Sequence, residues 1–402
     1  MAFELPPPTL VQDRAGFSRL LDDLATQREI AVDTEADSFF NYREKVCLLQ
    51  ITVEDRDYLV DPLAGFDLAP LGQILSDPSK EKIFHDGEYD VLILKRHYSF
   101  RFGGLFDTRV AAAALGQSQP GLASVLKSRF DVDLDKSMQR SDWSARPLSH
   151  KQISYARLDT HFLIPLARAQ KAELSAAGRM RIVEGECRRL EQLTPGDNSF
   201  DPEEYARIQG VRTLGGAGKR ALRELFVLRD RLAQASDLPP FKVLHNDVLM
   251  ALAGAVDEQP GVLPDLARFA PRQARRIGGE IQAALERARA LGPIERLPLL
   301  PSKDGTGELD DVEYELHDRL KEWRRERADK EGYDASLVLN RHVLLKLARQ
   351  KPRRREELAA VEGLNEWQMV EFGADLLSLI DQSLREFQTA PPRGRRRKNF
   401  RG

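Results

Sequence analysis

A duplicated stretch in the second half of the chain restricts the possible folds more than any other feature of the sequence. "LFVLRDRLAQASDLPPFKVLHNDVLMALA" begins at Leu225, and "LKEWRRERADKEGYDASLVLNRHVLLKLA" begins at Leu320. The two segments align without gaps at an offset of 95 residues, and their shared apolar positions have helical spacing. Self-similarity of this kind predicts that one small helical domain occurs twice.

The matched positions of the two copies are mostly apolar, so we expect them to form the core of each domain and not a binding site. The matched pairs include Arg229/Arg324, Val243/Val338, Leu244/Leu339, Leu249/Leu344 and Leu252/Leu347.

The first half of the chain alternates strand and helix patterns. "REIAVDTEA", "VCLLQITVEDRDYLVDP" and "EKIFHD" predict strands, whereas "FSRLLDDLATQ", "LAPLGQILSD", "GEYDVLILKRHY" and "FDTRVAAAALG" have helical spacing. Asp107 stands at the start of the last of these helices. "SHKQISYARLDTHFLIPLARAQKAELSAAG" predicts one long helix, capped by Ser149. This mixture predicts an α/β domain that ends near residue 190.

Composition sets broad limits on the class of protein. The chain has 402 residues, which predicts more than one domain, and no run approaches the roughly 18 apolar residues of a membrane span. "MAFELPPPTL" does not read as a signal peptide, and two isolated cysteines suit a reducing compartment, so we expect a cytoplasmic protein. The net charge is −5 over residues 1–200 and +3 over residues 201–402.

The basic end of the chain predicts a disordered tail. "PPRGRRRKNFRG" at 391–402 holds six basic side chains and no acid, and it serves either to bind a polyanion or to aid solubility.

Acidic residues follow the first apolar strand in "AVDTEADSFF". Asp33 and Glu35 are two apart on a strand, so their side chains leave the same face. Two carboxylates there repel each other unless a cation joins them, and burial increases the penalty. One D-x-E is weak evidence by itself, because exposed strand ends are often acidic.

Later segments supply further oxygen ligands. Asp90 lies near the start of a helix after a turn at Gly87, and Tyr155 and Asp159 are four apart on one helix face. Each residue also has a simpler interpretation: Asp90 as a first-turn acid, Tyr155 as a core aromatic residue and Asp159 as a surface charge. Oxygen ligands without Cys or His suit Mg²⁺ or Mn²⁺ more than zinc.

The order D-x-E, an acid after the histidine and glycine of "FHDGEYD", and Y-x-x-x-D resembles the three exonuclease motifs of the DEDD superfamily, tyrosine subclass. "RSDWSARPLSHKQISYARLD" at 140–159, "FDTRVAAAALG" and "GLASVL" are similar to the ribonuclease D family, and the duplicated helical domain resembles the HRDC module. In the histidine subclass a His occupies the position that is Ser154 here.

The resemblance implies an α/β ribonuclease H-like exonuclease domain, a mixed sheet flanked by helices, followed by two all-α HRDC domains. The expected bounds are 1–195 for the exonuclease domain, 196–210 for a linker, 211–292 and 309–390 for the HRDC domains, 293–308 for the linker between them, and 391–402 for the tail.

The resemblance also implies a site. Asp33, Glu35, Asp90 and Asp159 would bind two divalent cations, with Asp33 bridging them and Tyr155 orienting the attacking water. Asp86 is an alternative to Asp90, because it lies four residues before it. Arg157 is larger than the small residue expected inside the third motif, but it should face away from the site.

The implied activity is metal-dependent 3′→5′ exoribonuclease hydrolysis that releases nucleoside 5′-monophosphates and acts in 3′ maturation of tRNA precursors and small structured RNAs. The expected protein is a monomer that binds RNA. A DNA 3′→5′ exonuclease and a non-catalytic RNA-binding scaffold are the alternatives. Candidate RNA-binding groups are the basic helices of the repeats, Arg353–Arg355, the tail, Lys136 and Arg140, and Phe39 and Tyr42 are placed either to stack on a base or to pack.

Overall fold

The structure is a computed structural model that describes residues 5–135, 137–197, 199–259, 262–269, 271–300 and 309–389. Lys136 and the tail at 391–402, both proposed above to contact nucleic acid, lie outside the described residues. Within the described ranges, no helix is both long and apolar enough to cross a membrane.

A six-stranded mixed sheet forms the centre of the N-terminal domain. Its strands are β1 (Thr9–Val11), β2 (Glu29–Ala36), β3 (Val46–Val53), β4 (Arg56–Val60), β5 (Glu81–Phe84) and β6 (Leu105–Asp107). The strand order is β1-β4-β3-β2-β5-β6; β2–β3 and β3–β4 are antiparallel, and the other pairs are parallel. The predictions of β2, β3, β4 and β5 are confirmed, whereas β1 and β6 are too short to give a periodic pattern.

Helices cover both faces of this sheet. This is expected, because successive side chains of a strand point to opposite faces and both faces carry apolar residues. One face packs against α1 (Arg14–Thr26), α2 (Leu71–Ser76) and α3 (Glu88–Tyr98). The opposite face packs against α4 (Thr108–Ala114), α5 (Leu122–Phe130), α6 (His150–His161), α7 (Leu163–Ala176) and α8 (Met180–Gln192). The central strand β2 therefore has a covered layer on each side.

The prediction of one long helix over residues 149–178 is wrong, because the chain breaks into α6 and α7 at Phe162. Pro165 supplies the physical reason. It has no N–H to donate to the carbonyl of His161, and its ring crowds that carbonyl. The break lets α6 and α7 take separate directions over the sheet.

The C-terminal part contains two helical repeats, each built around one long first helix. The first repeat comprises α9 (Gly216–Ser236), α10 (Pro240–Val243), α11 (Asn246–Glu258), α12 (Leu266–Phe269) and α13 (Pro271–Leu291). The second comprises α14 (Asp311–Glu331), α15 (Ala335–Val338), α16 (Arg341–Gln350), α17 (Arg355–Ala359) and α18 (Glu366–Thr389). The first three helices of each repeat begin 95 residues apart, so the gapless duplication is confirmed.

The matched arginines have the same structural role in the two repeats. Arg229 donates a hydrogen bond to the carbonyl oxygen of Leu244 at 3.3 Å, and Arg324 donates to that of Leu339 at 3.0 Å. Each carbonyl belongs to the residue that ends the short second helix of its repeat, α10 or α15. Each arginine therefore satisfies a buried acceptor of that turn. The expectation that the matched positions serve the core therefore extends to this polar pair.

The second repeat packs directly onto the N-terminal domain. Its apolar residues belong to the same buried cluster as those of α4, α7 and α8. Trp367 lies against Gly185 so closely that a Cβ at residue 185 would overlap its indole ring. The guanidinium of Arg179 donates to the carbonyl oxygens of Ala114, at 2.9 Å, and Glu331, at 2.5 Å. The second repeat thus completes the core of the first domain.

Candidate active site

Three carboxylates converge at the end of β2. Asp33 and Glu35 leave the same face of this strand, and α6 crosses that face and brings Asp159. One carboxylate oxygen from each of these three residues lies within 4.8 Å of the others. A spacing of this kind allows one cation to contact all three groups.

The position of α6 is fixed by hydrogen bonds at both of its ends. Ser149 and Gln152 form a capping box at its start, which confirms the predicted cap. Near its end, the hydroxyl of Thr160 lies 2.8 Å from that of Thr52 on β3. Arg157 pairs with the buried carboxylate of Asp57 at 2.5 Å. Arg157 therefore faces away from the cluster, as expected, and anchors the helix that carries Asp159.

Asp90 approaches from the other side of the sheet. It is buried in the first turn of α3, and the Thr34 hydroxyl donates a hydrogen bond to its carboxylate. Thr34 alternates with Asp33 and Glu35 along β2, so it points to the opposite face. Asp90 lies outside the group of three described above, but its charge still raises the pKa of Asp33, Glu35 and Asp159.

The turn before α3 is restrained by Gly87 and Asp107. A Cβ at Gly87 would lie 2.6 Å from the Phe84 side chain, so no other residue fits without displacement. The Asp107 carboxylate accepts a hydrogen bond from the N–H of Gly87 at 2.8 Å and also caps α4. The predicted role of Asp107 at the helix start is confirmed, and its restraint of the turn was not predicted.

The crowded carboxylates are difficult to ionise together. Burial, followed by the charges of its neighbours, raises the pKa of Asp33 well above its ordinary value. Burial, then Asp159 and then Asp90, raises the pKa of Glu35 to about 9. Burial raises the pKa of Asp90 to about 6 and, together with the charge of Asp90, that of Asp159 to about 7. A cation among these groups would remove most of this penalty.

Tyr155 lies one helical turn before Asp159 on α6. Its ring packs near Trp143, with the ring centroids 5.9 Å apart. Burial, followed by the charges of Asp159 and Glu35, raises the pKa of its phenol. The hydroxyl therefore stays protonated at neutral pH, where it can donate a hydrogen bond but cannot act as a base.

Two other acids from the same segments do not join the cluster. Asp86 is exposed and its carboxylate lies 3.5 Å from the guanidinium of Arg109, with a backbone φ of 64°. Asp37 is buried and accepts a hydrogen bond from the N–H of Lys45 at 2.7 Å. It closes the loop that follows β2 instead of facing the site.

That loop, residues 37–45, docks on the first repeat. The Tyr42 hydroxyl donates to the carboxylate of Asp230 at 2.8 Å, and the Arg43 N–H donates to that of Asp237 at 3.1 Å. Phe39 remains exposed. Of the two proposed stacking residues, Tyr42 is thus engaged in packing, and Phe39 is available to a ligand.

The donor set fits a hard divalent cation. The three clustered groups are carboxylates, and no Cys or His belongs to the cluster found among the described residues. Carboxylate oxygens at this spacing suit Mg²⁺ or Mn²⁺. The site can therefore hold a divalent cation, and Asp90 lies beside it.

The chain matches two known protein families. Residues 8–175 match a family model described as a 3′-5′ exonuclease, and residues 219–285 and 313–380 match the HRDC domain model. Ribonuclease D of Jannaschia sp. is 30% identical over 375 residues, which cover 89% of this chain and 91% of that protein.

The chain is also similar to an exosome exonuclease and to a solved RNase D structure. The exosome complex exonuclease RRP6 of Saccharomyces cerevisiae is 32% identical over 260 residues, which are 61% of this chain but only 36% of that protein. The crystal structure of Escherichia coli RNase D aligns with a TM-score of 0.67 and 24% identity, covering 94% of this chain and 99% of that one, and it supports the fold.

The predicted fold class, a mixed α/β exonuclease domain followed by helical HRDC domains, is confirmed. The chain belongs to the ribonuclease D family.

Proposed function

We propose that this chain is a metal-dependent 3′→5′ exoribonuclease that hydrolyses phosphodiester bonds and releases nucleoside 5′-monophosphates. One observation carries the proposal: Asp33, Glu35 and Asp159 converge from a strand and a helix, with carboxylate oxygens within 4.8 Å of one another. The family model over residues 8–175 supports the same type of reaction.

The proposed ligands are Asp33, Glu35, Asp90 and Asp159, arranged around two divalent cations. As the family resemblance implies, Asp33 would contact both cations; it lies in the group of three. Glu35 and Asp159 would share one cation, and Asp90 would hold the other. When bound, such a pair supplies an activated water and neutralises charge on the leaving oxygen.

The protein groups supply orientation. Glu35 and the Tyr155 hydroxyl would hold the attacking water in line with the scissile bond, since the phenol is protonated and near the carboxylates. The Thr34 hydroxyl donates to one oxygen of the Asp90 carboxylate and so restrains this group. Phe39, which is exposed just beyond Glu35, could stack on the terminal base.

A cluster of acids repels a polyanion, so basic groups elsewhere must hold the RNA. We propose that the exposed face of the first repeat provides part of this charge. Its docking on loop 37–45 places that repeat beside the strand that carries Asp33. The second repeat has its apolar side in the core of the exonuclease domain, so removal of residues 205–402 would not test RNA binding alone.

The proposed substrates are tRNA precursors and other small structured RNAs with free 3′ ends. Digestion of a 3′-extended tRNA and a DNA strand of the same sequence, compared side by side, separates this proposal from a DNA exonuclease. We expect the RNA to be shortened faster. Faster digestion of the DNA would favour the alternative, and binding without digestion of either strand would favour a scaffold.

The role of Tyr155 has its own test. We expect Tyr155→Phe to lower kcat while leaving the Kd for RNA and the unfolding midpoint close to wild type, because the ring and its packing on Trp143 remain. An equal loss of kcat and RNA affinity would show that the hydroxyl does not orient the attacking water.

A further inference from the structure

A buried glutamine faces the site with neither of its amide atoms bonded. Gln50 lies on β3 with no exposed surface, and both Nε2 and Oε1 have no hydrogen-bond partner among the described residues. A buried polar atom without a partner costs about 1–3 kcal/mol. Two such atoms on one side chain therefore indicate that a polar group absent from the protein chain itself completes this position.

The strand register places Gln50 beside the central carboxylate. Asp33 is the direct partner of Gln50 in the antiparallel ladder of β2 and β3. Directly paired residues of antiparallel strands project to the same face of the sheet. The Gln50 side chain therefore lies on the face where Asp33, Glu35 and Asp159 meet.

The helix α6 closes this face over Gln50. Thr52, two residues further along β3 and thus on the same face, bonds to Thr160 of α6. Leu48, two residues before Gln50, packs in one cluster with Ala156 of α6. Gln50 lies between these two contacts, under the turn of α6 that carries Asp159.

Asp57, which lies on the same face of the sheet, already has partners. The carboxylate of Asp57 accepts hydrogen bonds from Thr52 at 2.8 Å and from Arg157 at 2.5 Å. In contrast, the Gln50 amide has no partner among the described residues, and the Asp33 carboxylate lies on the same face. The amide N–H groups of Gln50 are donors on the same face.

We propose that Gln50 is a positioning residue for Asp33, linked to its carboxylate by one buried water. The water would accept a hydrogen bond from Nε2, donate one to Oε1 of the same amide and donate the other to the Asp33 carboxylate. The Gln50 amide thereby fixes the position of the water, and the water holds one oxygen of the Asp33 carboxylate in place. The other oxygen then faces the cations, and this inference rests on the proposed metal site.

Metal binding in the absence of RNA tests the inference. The variant Gln50→Leu removes both amide atoms at similar volume, and Mn²⁺ binding is measured by calorimetry beside the thermal unfolding midpoint of the metal-free protein. We expect Mn²⁺ affinity to fall about tenfold or more, as for other residues that orient metal ligands. We expect the metal-free midpoint to change less than in the control variant below, because the Gln50 amide makes no hydrogen bond to the described part of the chain.

Gln170→Leu is the matched control. Gln170 of α7 is also fully buried, and its Oε1 has no partner among the described residues, but its Nε2 donates to the carbonyl oxygen of Thr108 at 2.9 Å. Its replacement should lower the unfolding midpoint and leave Mn²⁺ affinity within twofold of wild type. We therefore expect Gln50→Leu to lower mainly the Mn²⁺ affinity and Gln170→Leu to lower mainly the unfolding midpoint.

Unchanged Mn²⁺ affinity in Gln50→Leu would overturn the positioning role and leave the metal site standing. If wild type itself bound no Mn²⁺, the metal site and the positioning role would both be wrong. Should Gln50→Leu fail to fold, Gln50→Met takes its place, and loss of folding in both variants would show that Gln50 serves the core and not the site.

Discussion

Arg157→Met tests whether the buried pair beneath α6 holds the site together. The Asp57 side chain is 1% exposed, and Arg157 gives it two hydrogen bonds, at 2.5 and 3.1 Å. Loss of one partner from a buried ion pair costs about 3–5 kcal/mol, because the remaining charge is left uncompensated. Thr52 and His161 continue to donate to Asp57, so we expect the lower end, about 3 kcal/mol.

The assay is urea unfolding of the metal-free protein, followed by Mn²⁺ titration of the folded variant. Because α6 carries Asp159 two residues beyond Arg157, we expect Mn²⁺ affinity to fall together with stability. Arg168→Met is the matched control, since Arg168 pairs with Glu29 at the surface, with 62% of its side chain exposed. Exposed pairs contribute about 0–1 kcal/mol.

The pH dependence of this effect follows from Asp57. Burial by itself would raise the pKa of Asp57, but hydrogen bonds from His161, Arg157 and Thr52 lower it below its ordinary value of 3.8. Its contribution to stability is therefore present above about pH 4 and lost as the pH falls below that value. A cost under 1 kcal/mol at pH 7, or a cost equal to that of Arg168→Met, would refute the reasoning.

Three other predictions concern separate regions. Tyr42→Phe should raise KM for structured RNA more than for short oligomers, because it removes the bond to Asp230 that docks the first repeat; equal KM values for wild type and variant would contradict this. Gly185→Ala should lower the unfolding free energy by about 1–3 kcal/mol through overlap with Trp367, and a level urea midpoint would contradict it. Burial lowers the pKa of His85 to about 4, so between about pH 6.5 and 4 the unfolded chain binds more protons than the folded protein. The free energy of unfolding should therefore fall by up to about 3 kcal/mol as the pH is lowered through that window. His85→Gln should flatten this profile, which is measured by urea unfolding.

The sequence predicted the parts of the fold that depend on local patterns. Four strands, the capped start of α6 and the duplication at an offset of 95 residues are all visible as periodicity or spacing. The break at Phe162 was missed although Pro165 indicates it, because the apolar spacing continues across the break. Strands of three residues, such as β1 and β6, gain their stability from neighbouring strands and leave no local pattern.

The site was predictable where strand and helix spacing alone decide which side chains share a face. Asp33 with Glu35, and Tyr155 with Asp159, are such pairs. The bond of Asp90 to Thr34 joins residues that are 56 positions apart, and the docking of Tyr42 on Asp230 joins residues that are 188 positions apart. Local spacing predicts neither of these contacts, nor the separate position of Asp90. The unbonded amide of Gln50 was also missed, although a glutamine within the apolar run "VCLLQITV" is a recognisable signal of a buried polar group.

The assignment of individual residues to the two cations stays a prediction, and Asp90 is its most informative member. Asp90→Asn keeps the shape of the side chain and its contact with Thr34 while removing one charge. We expect this variant to bind fewer Mn²⁺ ions than wild type, and an unchanged number of bound ions would mean that Asp90 only supports the strand.

Digestion of a 5′-labelled single-stranded RNA tests the central claim most directly. The reaction is run with Mg²⁺, with Mn²⁺ and with chelator, for wild type and Asp159→Ala, and the released product is identified. We expect stepwise shortening from the 3′ end and nucleoside 5′-monophosphates with either cation, and no digestion with chelator or with the variant. Full digestion in the presence of chelator, or by Asp159→Ala, would contradict the account.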